Sequence, residues 1–146
     1  MATTDSTPRA SRSARASRNR AAEARAAIKD AFRDVEGTHH PASFAVVINS
    51  AATLLWIGDL DAADEHLDWF ISRAQSESFE PYLHLGHAFK GEVAICRGDV
   101  KAGVEKLQKR LEWLHAASFK LFTMRLQSVL ARGLAALEAE DDEAAP

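Results

Sequence analysis

Between Phe44 and Trp56 apolar side chains fall on nearly every side of a helical wheel (Phe44, Val46, Val47, Ile48, Leu54, Leu55, Trp56), which predicts a helix over 42–57 packed on several faces. Gly58 is expected to end it in a left-handed conformation, and Asp59 to cap a second helix. That second helix carries one 3.6-period stripe: Leu60, Ala63, Leu67, Phe70, Ile71 and Ala74. A third stripe runs through Tyr82, Leu85, Phe89, Val93 and Cys96, and a fourth through Val100, Val104, Leu107, Leu111 and Leu114. Upstream, Ala24, Ala27, Ile28, Ala31, Phe32 and Val35 make a thinner stripe from about residue 20, stopped by Gly37. Downstream, Phe122, Leu126, Val129, Leu130, Gly133, Leu134 and Leu137 mark a last helix. Pro41 suits the first turn of the 42–57 helix, where a missing N–H is no loss. Nothing reads as a strand, so the expected class is all-α.

The stripes repeat. Shifting the chain by forty residues places Pro41 on Pro81, Gly58 on Gly98, Asp59 on Asp99, Glu65 on Glu105, Leu67 on Leu107 and Phe79 on Phe119 without a gap. Self-similarity at such a period predicts stacked helical hairpins: one over 41–80, a second over 81–120 and a half unit over 121–140, inside a helical domain of 20–140. The small pairs Ala62-Ala63 and Ala102-Gly103 stand where close helix contact excludes bulk. Arg97-Gly98-Asp99 spells an adhesion tripeptide, but its Gly-Asp recurs at Gly58-Asp59 behind Ile57, so the repeated part is the cap.

Charge is distributed unevenly. Residues 1–20 hold Arg9, Arg12, Arg15, Arg18 and Arg20 against Asp5, a net of +4, which leaves −7 for the rest of a chain whose total is −3. Because "TPRASRSARASRNR" has no large apolar residue to bury, residues 1–19 are expected to be a disordered arm. Its arginines are candidate phosphate contacts, and a solvated tail is the competing reading. The other end is an acidic tail over 141–146, preceded by Glu138 and Glu140. Length fits one domain. A single cysteine makes no internal disulfide, no apolar run could span a bilayer, and the first residues lack a signal peptide's apolar core, so cytoplasmic location is expected; a transit peptide is the weaker alternative.

"HPASFAVVINSAATLLWIGDLDAADEHL" followed by "GEVAICRGDVKAGVEKLQKRL" resembles the tetratricopeptide-like C-terminal repeat region of large bacterial signal-transduction ATPases and transcriptional regulators, over roughly residues 38–137. The resemblance implies a short right-handed α-solenoid. It also implies a non-enzymatic scaffold or sensory part in bacterial signalling or transcriptional regulation, taking a protein or peptide partner. No G-x-x-x-x-G-K-[ST] phosphate loop and no DNA-reading helix pair are present, so only the repeat module carries over.

Candidate chemistry is sparse. His84 and His87 stand at i and i+3, with His39-His40 upstream, but two histidines fall short of the three or four ligands a metal site needs. A metal- or small-ligand-binding protein is thus a second alternative, behind a nucleic-acid-associated one using the arm, and no cofactor is expected. Arg97 beside Cys96 could lower the thiol's pKa, yet Cys96 sits on an apolar stripe and is expected in the core. Trp56, Trp69 and Trp113 are expected to be buried in the core or at a subunit contact. In tetratricopeptide-like stacks the first helix of each pair lines the concave surface. The forty-residue shift then gives a candidate partner-binding stripe of Phe44, Val47 and Ser50, His84, His87 and Lys90, and Met124, Gln127 and Leu130, with core burial as its rival. Two and a half repeats are few, so self-association through an uncapped end is expected.

Overall fold

The computed structural model describes residues 9–144. Six helices follow one another: α1 (Arg9–Glu36), α2 (Ala42–Trp56), α3 (Leu60–Ser76), α4 (Glu80–Cys96), α5 (Val100–Ala116) and α6 (Thr123–Ala144). There is no strand among the described residues, so the chain is all-α. No helix of the described residues is long and apolar enough to cross a membrane.

Four helix ends share one local chemistry. After α2 the Asp59 N–H donates to the Leu54 carbonyl (2.9 Å) and the Gly58 N–H to that of Leu55 (3.2 Å), the paired bonds of a Schellman cap. The same pair follows α4 at Asp99 and Gly98, α3 at Phe79 and Ser78, and α5 at Phe119 and Ser118. The cap needs a left-handed residue, and Gly58 (φ 81°) and Gly98 (φ 94°) supply it without a Cβ clash. Ser78 (φ 58°) and Ser118 (φ 57°) supply it at the cost of one. Asp59 caps α3 as expected, accepting from the Ala62 N–H at 3.3 Å. Asp99 holds the equivalent position on α5 with no side-chain cap bond.

Each helix packs on its neighbours in sequence, with further contacts of α2 with α4 and of α4 with α6. Phe44, Phe70, Leu67, Leu85, Phe89, Leu107 and Leu126 are buried together. Phe44 meets Phe70 edge-on at 5.4 Å and stacks on Tyr82 at 4.9 Å, and Tyr82 in turn meets Phe119 at 6.0 Å, a chain of rings from α2 to the approach to α6. Where α4 crosses α5, Gly91 and Gly103 face each other; a Cβ on Gly103 would stand 2.7 Å from the Gly91 carbonyl oxygen. The foot of α1 is tied to α3, since Trp69 Nε1 donates to the Glu36 carbonyl at 3.4 Å and Arg73 donates to the Thr38 carbonyl just past the helix end at 2.7 Å.

Two expectations need correction. The arm is helical from Arg9 onward and continuous with α1, whereas disorder was expected to residue 19; residues 1–8 lie outside the described residues. Alanine and arginine are strong helix formers, and an existing helix extends without a second nucleation cost even though Ser11 to Arg20 bury nothing. At the other end α6 continues through Asp141, Asp142 and Glu143 to Ala144, so most of the acidic tail is helix; residues 145–146 lie outside the described residues.

Candidate interaction groove

The one-residue offset of a helical face decides which side chains share a surface. Phe44 and Val47, expected on an inner stripe, are core residues, and Ser50 is buried as well. Their proposed companions scatter: Lys90 pairs with Asp64 and Asp68 of α3, Met124 is 86 % exposed, Gln127 is exposed and Leu130 half-buried. These nine residues form no common accessible surface, because each step along a helix turns the side chain by about 100° and the chosen frame points toward α3 and α5.

A groove of ≈ 430 Å³ instead lies between α2, α4 and α6, lined by Leu55, Trp56, Glu92, Cys96, Arg125, Ser128 and Arg132. At its floor Glu92 is buried. Arg125 Nη2 donates to Glu92 Oε1 at 2.9 Å and to the Ala52 carbonyl at 3.3 Å, so one guanidinium joins α6 to both α4 and α2. Its Cζ also lies 5.7 Å from the centre of the Phe89 ring. Ser128 and Arg132 follow at helical spacing on α6, exposed. At the rim stands Trp56, 85 % exposed, so of the two expected settings, core or subunit contact, the core of this chain is excluded. It is the last residue of α2 before the cap. Trp69 and Trp113 are half-buried and pack against the core cluster.

Cys96 is also corrected: it is exposed, not core. Burial around its sulfur and the Glu92 carboxylate push the thiol above its usual range. Arg97 does not activate it, being turned away to Asp61 (2.7 Å) and Asp64 (3.3 Å).

The two histidines of α4 face the opposite side. His84 stacks on Trp113 at 3.9 Å with its rings 11° apart. Arg110 Nη1 lies 3.1 Å from His84 Nδ1; the guanidinium can only donate, so Nδ1 accepts and the ring proton is on Nε2, which points at Glu80 (3.7 Å). His87 Nδ1 is buried without a hydrogen-bond partner among the described residues. Burial, helped by Arg110, Lys106, His84 and Lys90, pushes the His87 pKa down to about 4. Burial and Arg110 lower His84 too. Among the described residues no group of three or more His, Cys, Asp and Glu is placed to hold a metal ion. Arg12, Arg15, Arg18 and Arg20 are all exposed, and Arg9 begins α1.

No signal in the sequence singled out Glu92, Arg125, Ser128 or Arg132. The trace that could have found them is Glu92 within an otherwise apolar stripe, since a carboxylate there demands a cation from a neighbouring helix. Compared with protein-family models, with curated proteins and with solved structures, the chain matches none.

Proposed function

We propose that the chain is a non-enzymatic protein-interaction module, a short right-handed stack of tetratricopeptide-like hairpins with a forty-residue period. In this reading it is a scaffold or sensory part of the kind joined to bacterial signal-transduction ATPases and transcriptional regulators. The equal spacing of the Gly58 and Gly98 caps, and of the Ser78 and Ser118 caps, supports the stacking.

One observation carries the function: Trp56 stands 85 % exposed on a groove that also presents Arg125 and Arg132. An exposed tryptophan beside Leu55 offers a large apolar anchor at low entropic cost, and aromatic and arginine side chains dominate binding energy at protein interfaces. Arg125 is committed to Glu92, while Arg132 has no ion-pair partner among the described residues. The occupant that fits is a short peptide segment presenting an apolar side chain next to Asp or Glu. Selection from a displayed random peptide library should enrich that pairing, and Trp56→Ala or Arg132→Glu should weaken the selected peptides at least about tenfold. Peptides that bind the two variants as well as the parent protein would sink the reading.

A further inference from the structure

The two ends of the chain carry opposite charge on helices that leave the body. In α1 Ser11 to Arg20 are exposed without exception, and the sequence has no acidic residue between Asp5 and Glu23. The ion pairs of α1 are made lower down, by Arg25 with Asp59 and Arg33 with Asp30, so Arg12, Arg15, Arg18 and Arg20 carry uncompensated charge. In α6 every residue from Leu134 to Ala144 is exposed except half-buried Leu137, and Glu138, Glu140, Asp141, Asp142 and Glu143 fall within six positions. Leu134, 39 % exposed, leaves an apolar edge beside that run.

Packing fixes where these ends point. The Arg25–Asp59 bond (3.1 Å) puts the middle of α1 level with the Gly58 turn, so at 1.5 Å per residue Ser11 stands roughly 20 Å beyond it. Gly133 of α6 lies against Val104 and Ile95, close to the Gly98 turn, so Glu138 to Glu143 project beyond that turn. Gly58 and Gly98 both end the first helix of a hairpin, so both prongs leave past the same edge. They do so on opposite flanks, α1 packing on α2 and α6 on α4 and α5, and no ion pair joins them within the described residues.

From this placement we infer that two copies of the chain pair about a two-fold axis, the arginine prong of each lying along the acidic prong of the other. A half-turn about an axis normal to the stack brings positive against negative on both flanks at once, so the contact is isologous and closes at a dimer. Separate exposed pairs are weak, but two such sets made together act as one bivalent contact, strong at low salt and screened at high salt. A polyanion such as duplex DNA is the competing occupant of the arginine prong. The charge of the molecule favours a second copy, because a nucleic acid approaching that prong also meets a body of net −7.

Sedimentation of the full chain tests this. In 50 mM salt the protein should be a dimer, and 500 mM salt should weaken the dimer at least about tenfold. Reversing the arm (R12E, R15E, R18E) or the tail (E140K, D141K, D142K) should each give a monomer with unchanged helicity by circular dichroism. Mixing the two reversed proteins should restore a dimer, since each then carries what the other's prong needs; loss of folding cannot mimic that rescue. A monomeric parent protein in 50 mM salt, species growing beyond a dimer, or a dimer indifferent to either reversal would overturn the inference. A monomer that binds duplex DNA with a salt dependence abolished by the arm reversal would overturn it in favour of nucleic acid.

Discussion

A methyl group is the smallest change that tests the α4–α5 crossing. The Cβ of Gly103→Ala would meet the Gly91 carbonyl oxygen at 2.7 Å and the Ile95 nitrogen at 2.9 Å, and backbone atoms cannot swing aside as a side chain does. We expect a loss of about 1–3 kcal/mol in urea unfolding, the range for overpacked cores, while Gly37→Ala, with nothing within 4 Å of its Cβ, should cost far less. Equal effects at the two glycines would remove the close crossing as an explanation. A second residue-scale prediction concerns pH. The His87 pKa in the folded protein, about 4, lies below the roughly 6.5 of an unfolded histidine, so the unfolded chain takes up the proton first. The stabilisation from neutral His87 is therefore whole above about pH 6.5 and drains away as pH falls towards 4. The buried His66, whose pKa is lowered by burial, acts in the same sense. His87→Gln should flatten the fall of melting temperature between pH 6.5 and 4.5, and an unchanged slope would show that His87 is not responsible. The Gly103 contact was legible in the sequence as a small residue at the start of a helix. The His87 environment was not, because Arg110 and Lys106 come from a different helix.

At the scale of elements, the contacts of α6 are of two kinds. Leu126 and Val129 bury apolar surface, whereas Arg125 ties α6 to α4 and α2 through a carboxylate that is itself buried. Arg125→Met keeps the length of the stem but leaves Glu92 in the groove floor without its cation. We expect a cost on the order of 2–3 kcal/mol, below that of a fully buried pair because Arg125 is a third exposed. The double variant Arg125→Met with Glu92→Leu should recover most of it in thermal unfolding; no recovery would mean that packing, not the charge, fixes α6. Helix count and most helix bounds could be read from the sequence, since each stripe is long and most are punctuated by Gly or Pro, the α5–α6 joint excepted. The ends of α1 and α6 could not, because the stripe marks only the part of a helix that is covered, while Ser11 to Arg20 and Glu138 to Glu143 extend it into solvent. Ser78 and Ser118 stand forty residues apart, but their left-handed backbone is set by the Schellman bonds and not by serine's own preference, so no sequence signal announces it.

For the whole molecule, stability should be concentrated where helices have neighbours on more than one side. A forty-residue shift says which residues would be equivalent but not which face they present, because a period fixes translation along a stack and leaves rotation about each helix undetermined. Only tertiary contact, such as Phe44 against Phe70 and Tyr82, sets that rotation. The same contacts separate two truncations. Residues 11–20 are all exposed and none belongs to the core, so removing residues 1–20 should leave the melting temperature nearly unchanged in 500 mM salt, where association through the arm is screened. Removing residues 123–146 strips away Leu126 and Val129, each worth about 1.5–3 kcal/mol when buried, and uncovers Val104 where Gly133 sat against it. With the Arg125 bridge lost as well, the sum approaches the 5–15 kcal/mol that holds an ordinary domain folded. That shorter chain should lose cooperative melting or associate through the bared face of α5, and a sharp transition at the parent temperature would show that α6 is an appendage and the first five helices are the stable unit.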